Sequence, residues 1–223
     1  MFSLEAGCFF IIGEGLRTTE ASVEDWSLSL RAAGYAVCAM AAIISMLRGV
    51  NLGGHHKVNM EELRLLYEGL GLEEPKTFIQ SGNVVFGSKE RNLARLAKQI
   101  EDAIERKLGF HSDVILRTAS EMREVIRKNP FAKLRGIEPS KLLVMFLAAQ
   151  PDPETREKLE KIEANPEEVR LEGRDVYIYF PDGQGRSKLT PVLGRILKNA
   201  GTGRNWNTVT KLLAMAESLE TAK

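Results

Sequence analysis

Leu47-Arg48-Gly49-Val50-Asn51-Leu52-Gly53-Gly54 and, about thirty residues on, Gln80-Ser81-Gly82-Asn83 are the stretches that decide how this chain folds. The first follows an apolar run, Ala41 to Met46, short enough to read as a buried strand. The second separates two strand-like runs, Lys76 to Ile79 and Val84 to Phe86. Both are rich in glycine and in neutral or basic hydrogen-bonding side chains, and neither holds a carboxylate. They read as two walls of one binding site.

Outward from these stretches the pattern is regular. Ala41 to Arg48 is the first predicted strand. Asn59, with Glu62 three residues later, opens a helix in a capping-box-like pattern; Leu63, Leu66, Tyr67 and Leu70 share one face and Gly71 ends it. Pro75 begins the second strand, Ser81-Gly82 makes a tight turn, and Val84 to Phe86 continue as the third strand. Arg91 to Leu108 is a long helix ended by Gly109, and Asp113 to Leu116 the fourth strand. The order β-α-β-β-α-β is the split βαβ, ferredoxin-like unit. In that unit strands one and two run parallel with strand three between them. The loop from Arg48 to Gly54 and the turn from Gln80 to Asn83 therefore fall at one edge of the sheet and are predicted to meet.

Thr118 with Glu121 opens a further helix to Lys128, which Asn129-Pro130 stops, and a link containing glycine and proline runs to about Ser140. Then the pattern begins again. Leu142 to Ala148 reads as a strand and Pro153 to Glu163 as a helix. Val169 to Leu171 and Val176 to Phe180 form a hairpin around Gly173-Arg174-Asp175. A helix capped by Ser187 reaches Lys198, and a last helix starts near Asn205. This β-α-β-β-α series repeats most of the first unit without recognisable sequence identity. The expected fold is α+β, with two ferredoxin-like (split βαβ) halves and antiparallel sheets. Residues 40–128 would form a βαββαβ-type domain plus connecting helix, and residues 141–217 a second α+β domain.

Three polar blocks are the candidates for chemistry. In the first, Gly53 and Gly54 permit close backbone approach, Arg48 offers a fork suited to phosphate or carboxylate, Lys57 adds a point charge, and Asn51, Gln80, Ser81 and Asn83 supply hydrogen bonds. The second is Asp182 to Lys188, where a strand passes through a glycine turn into a helix start. Arg186, Ser187 and Lys188 there suit an anion, although Ser187 also suits plain helix capping. The third is Thr202 to Thr208, in which Arg204, Asn205 and Asn207 flank Trp206, itself read first as a packing anchor. None of the blocks is G-x-G-x-x-G or a Walker A loop, so no nucleotide class follows.

These motifs carry a family resemblance. L-R-G-V-N-L-G-G, T-F-I-Q-S-G-N-V-V-F (77 to 86), N-P-F (129 to 131), G-R-S-K-L (185 to 189) and R-N-W-N-T-V (204 to 209) resemble the signature blocks of bacterial domain-of-unknown-function family 1697. The resemblance spans roughly residues 40 to 215. It implies a small cytoplasmic α+β protein and supplies no activity. Because it begins near Met40, residues 1–39 are expected to be an upstream extension that is non-native or disordered. The alternative there is an amphipathic helix over Ser22 to Ala33.

Composition narrows the rest. With 43% hydrophobic and 27% charged residues the chain matches a globular protein, and no apolar run approaches the roughly 20 residues needed to span a bilayer. The net charge of +1 divides into −3 over residues 1–39 and +4 over the remainder, a weak basic excess for a nucleic-acid binder. Cys8 and Cys38 are the only cysteines, which excludes disulfides, thiolate catalysis and cysteine-ligated zinc beyond residue 39. His55 and His56 are adjacent and His111 is the only other histidine, so no metal site and no cofactor are expected. Arg, Lys, Asn, Gln, Ser and backbone amides bind anionic groups but supply no obvious base. The leading expectation is a binding protein for a phosphate- or carboxylate-bearing small ligand. Behind it stand an enzyme working by electrostatic stabilisation of a small anionic substrate and an RNA-binding module. The sequence leaves the oligomeric state open.

Overall fold

The computed structural model describes residues 40–51, 56–198 and 200–221. The expectations for residues 1–39, and for Gly53 and Gly54, lie outside these. Residues 40–223 form one compact unit. Its first half runs β1 (Ala41–Leu47), α1 (Met60–Gly69), β2 (Glu73–Phe78), β3 (Asn83–Ser88), α2 (Leu93–Leu108), β4 (Val114–Thr118) and α3 (Ala119–Arg127). The second runs β5 (Leu142–Leu147), α4 (Pro153–Glu160), β6 (Glu168–Glu172), β7 (Asp175–Tyr179), α5 (Leu189–Ile196), β8 (Gly201–Asn205) and α6 (Trp206–Thr221).

Local chemistry sets these boundaries. The Asn59 side chain caps α1, and Asn92 caps α2, which ends on Gly109 in the left-handed conformation. Thr118 and Glu121 complete a reciprocal capping box at α3. The strands form two four-stranded antiparallel sheets, ordered β2-β3-β1-β4 and β6-β7-β5-β8. The α+β fold of two split-βαβ halves is therefore present.

One element departs from the sequence reading. Thr202 to Asn205, to which the sequence reading gave no strand, belong to β8, which pairs antiparallel with β5 and completes the second unit. Gly201 and Gly203 hid it. A Cβ at Gly201 would stand 2.9 Å from both Leu147 Cδ2 and Met145 Cγ, and one at Gly203 would stand 3.1 Å from Leu143 Cδ2. Glycine is favoured there by packing, against its low strand propensity.

Alternation along the strands divides the interior into three cores. Ile43 and Leu47 join the outer core of the first sheet with α1 and α2, and Leu147, Val176 and Ile178 join that of the second with α4 and α5. The opposite faces, including Ala42, Ile44, Met46, Val144, Phe146 and Tyr177, share a central core with α3 and α6. Both sheet faces are thus covered, which is why β1 and β5 read as continuous apolar runs. Helix α6 lies on β1 and β3 of the first sheet, and Tyr177 of β7 donates its hydroxyl to the Val125 carbonyl of α3 at 2.7 Å. The halves are tied by these crossed helices. Among the described residues no helix is long and apolar enough to cross a membrane.

Candidate functional site

The strand order brings the end of β1 to the β2–β3 turn. Leu47 N–H donates to the Gly82 carbonyl at 2.9 Å, and Asn51 Nδ2 donates to the Gln80 carbonyl at 2.8 Å. The two stretches meet as their topology requires. What they do there is largely internal. Asn51, at φ +55°, also donates to Val58 O and accepts from Val58 N, so its amide closes the loop. Asn83 is fully buried and donates to Phe78 O and Ser81 Oγ. Arg48, about one-third exposed, holds Asp113 Oδ2 at 2.6 Å. Gln80 and Lys57 are exposed, and Lys57 has no ion pair among the described residues.

Arg204, a candidate ligand contact in the sequence, is engaged within the protein. It is 7% exposed, and its donors go to Asn83 Oδ1 (2.5 Å), Thr202 Oγ1 (2.7 Å), Gly203 O (2.8 Å), Leu47 O (2.7 Å) and Ser81 O (3.0 Å). A guanidinium has five N–H groups, so all are spent within the protein. Burial pulls its pKa down to about 10, which leaves it charged at neutral pH. Asn205 is also occupied, donating to Ser140 O and accepting from Asn207 N. Arg204 staples β8 to the ends of β1 and β3. Asn207 is exposed, and its side chain is unengaged among the described residues.

The 182–188 block lies beyond the far end of β7 from Asp175. It shares a cleft of about 500 Å³ with Asn165 to Glu167. Arg186 and Lys188 are exposed there and make no ion pair among the described residues. The N-cap of α5 is Lys188, without a side-chain cap, so Ser187 stands one residue ahead of the cap expected of it; its Oγ accepts from Leu189 N–H at 3.0 Å and keeps its own proton to donate. Glu167 and Asp182 line the same cleft, so the charge of the lining balances. No residue of the first block lines this cleft, so the structure does not bring the two blocks together in it.

Sequence reasoning passed over two acids. Asp113, at the start of β4, accepts from Arg48 on one oxygen and lies 3.1 Å from His111 Nε2 on the other. Burial pushes its carboxyl up, but hydrogen bonds from Arg48 and His111 outweigh that and hold it below the ordinary carboxylate range. Asp175, at the start of β7, pairs with the buried Arg117 of β4 at 3.0 Å. Burial pushes that carboxyl up despite the arginine. Arg117 was legible, because in Val114 to Thr118 it shares a strand face with buried Ile115. A charge on an inward face calls for a partner. Among the described residues no cluster of His, Cys, Asp and Glu could hold a metal ion.

Comparison with known proteins places the chain. The model of a family described as "Protein of unknown function (DUF1697)" matches residues 40–177. No curated protein matches. A solved structure, that of conserved bacterial protein SP0830 from Streptococcus pneumoniae, is similar at a TM-score of 0.64 and 22% identity. That match covers 80% of this chain and 99% of the other. At such identity the likeness speaks for the fold alone.

Proposed function

The chain belongs to the DUF1697 family, and from its own geometry we propose that it binds a small molecule bearing a phosphate or carboxylate group. The observation that carries this reading is the pair of unpaired cations, Arg186 and Lys188, flanking the free hydroxyl proton of Ser187 in the 500 Å³ cleft. Arginine supplies two parallel donors to an oxyanion and lysine a point charge. Glu167 and Asp182 cancel any bulk attraction, so selection rests on placement. A ligand that also carries hydroxyl or amino donors would satisfy both sets. On this reading the protein works in the cytoplasm.

The test is calorimetric titration of the full chain with inorganic phosphate and with a panel of small phosphorylated and carboxylated hydroxy compounds. Saturable binding at one equivalent is expected, weakened about tenfold or more by Arg186→Ala with the melting temperature retained. Binding unaffected by Arg186→Ala and Lys188→Ala together would reject this cleft as the site.

One observation favours a second reading, an enzyme acting on a small anionic substrate. Arg48, Asp113 and His111 form a connected chain just past the end of β1, supplying an acid that the first block lacks and a histidine held against it. There an imidazole oriented by a carboxylate could move a proton. Screening hydrolase and isomerase substrates for a turnover abolished by His111→Ala tests it. A nucleic acid has less to hold it. Both sheet faces are covered, which leaves only the loops.

A further inference from the structure

The two halves correspond strand for strand, and the correspondence carries one arginine onto another. Ile44 pairs with Arg117 and Met46 with Asn83 in the first sheet; Val144 pairs with Arg204 and Phe146 with Asp175 in the second. Leu47 N–H bonds the Gly82 carbonyl, and Leu147 N–H bonds the Arg174 carbonyl. Arg204 corresponds to Arg117, Asn83 to Asp175, and Gly82 to Arg174. Each arginine crosses to the other half. Arg204 reaches Leu47 O and Asn83, and Arg117 reaches Leu147 O and Asp175.

The two copies differ where a ligand would sit. Around Arg204 the turn is tightly packed. Gly82 is packed so tightly that a Cβ would fall 2.6 Å from Val50 Cγ2, and an uncharged Asn83 suffices to meet the guanidinium. Around Arg117 the junction opens into a cleft of about 250 Å³ between α3 and the β6–β7 turn. The Arg174 side chain turns aside to Glu121 at 2.5 Å. Asp175 gives one oxygen to Arg117, and its other oxygen has no hydrogen-bond partner among the described residues. Since asparagine does the stapling in one copy, the negative charge at Asp175 is not required for stapling in the other.

Two of the three cations lining this cleft are closely paired, Arg117 with Asp175 and Arg174 with Glu121, while Lys128 stands 4.0 Å from Glu124, both of whose oxygens accept from Arg127. Glu172, exposed at the rim, makes no ion pair among the described residues. The carboxylate oxygens left without a partner among the described residues are those of Glu172 and one of Asp175, which face each other across the β6–β7 hairpin. Ser120 and Gln150 on the same lining add neutral hydrogen bonds.

We propose that this cleft binds a small organic cation, an amine or guanidinium whose head group sits between the free oxygen of Asp175 and Glu172. Burial makes ionised Asp175 costly, and a bound cation offsets that cost. The site is separate from the 182–188 cleft, so either can fail without the other.

The full chain is titrated calorimetrically with putrescine and with methylguanidinium, using 1-pentanol as a neutral control. Saturation at one equivalent is expected for at least one cation and not for the alcohol. Asp175→Asn is expected to unfold cooperatively like the parent while binding about tenfold or more weakly. Glu172→Gln, an exposed change that leaves the staple intact, should weaken binding by a smaller factor. The proposal is overturned if neither cation saturates, if Asp175→Asn binds as the parent does, or if Asp175→Asn fails to fold, which would make that carboxylate structural.

Discussion

Arg117 and Arg204 are the same residue of the fold used twice. Each leaves the fourth strand of its half and donates to the carbonyl that ends the first strand of the other, Leu147 at 2.9 Å and Leu47 at 2.7 Å. Only one has a carboxylate partner. A buried guanidinium is tolerated without a counter-ion when every N–H is hydrogen-bonded, and Arg204 meets that condition.

Removing Arg204 should therefore cost more than a surface charge would. Arg204→Ala takes that donor from the Ser81 carbonyl and the Asn83 oxygen, with about 1–3 kcal/mol at stake for each buried group, and leaves the Leu47 carbonyl with the Thr202 hydroxyl. Arg204→Lys should rescue little, because three donors on one nitrogen cannot span five acceptors. Denaturant unfolding of both variants checks this. Two nearly native midpoints would mean that the crossed helices and the Arg117 staple hold the halves together without Arg204.

Gly82 should prove irreplaceable for two reasons that act together. Its φ of +67° disfavours any side chain, and a Cβ would lie 2.8 Å from Leu47 Cβ as well as 2.6 Å from Val50 Cγ2. Gly82→Ala is expected to destabilise by about 1–3 kcal/mol through overpacking alone. Gly173→Ala, whose added Cβ meets nothing within 4 Å at a similar φ of +63°, isolates the backbone contribution and should cost less.

These positions show what the sequence made legible. The split βαβ order placed Arg48 to Asn51 beside the turn at Gln80, because apolar runs, caps and glycine stops followed regular periods. Strand β8 escaped because its glycines serve Leu143, Met145 and Leu147 rather than any strand preference of their own. Arg204 and Asn83 looked like ligand donors because a buried, neutral-partnered arginine has the composition of a binding site. Only the three-dimensional count of its donors separates the two.

The two aspartates should respond to acid in opposite senses. Asp113 has a carboxyl held below its ordinary pKa, so its contribution is present above the unfolded value and lost as pH falls through the folded one. Asp175 has its pKa raised, so ionising it costs stability above the folded value, and that cost is relieved as pH falls through it. Asp113→Asn should flatten acid destabilisation, modestly because the ion pair is half-exposed. Asp175→Asn should steepen it. Urea midpoints across the acid limb for the parent and both variants test the signs, and a shared direction would contradict the burial of Asp175.

Salt dependence separates a small ligand from an RNA surface. Each phosphate of a single strand neutralised by the protein contributes a slope of about −0.7 in log affinity against log salt. Arg204 has no free donor, so the basic loops retain Arg48, Lys57, Arg186 and Lys188, and Arg48 is already paired with Asp113. If all four gripped phosphates, the slope would approach about −2.8. A small ligand with one or two anionic groups gives a much shallower line and saturates at one equivalent. The shallow case is expected, because Arg186 and Lys188 line a cleft that also holds Glu167 and Asp182, where a polyanionic backbone would meet two carboxylates. Tight, steeply salt-dependent binding of generic RNA oligomers, retained in Arg186→Ala, would reverse that ranking.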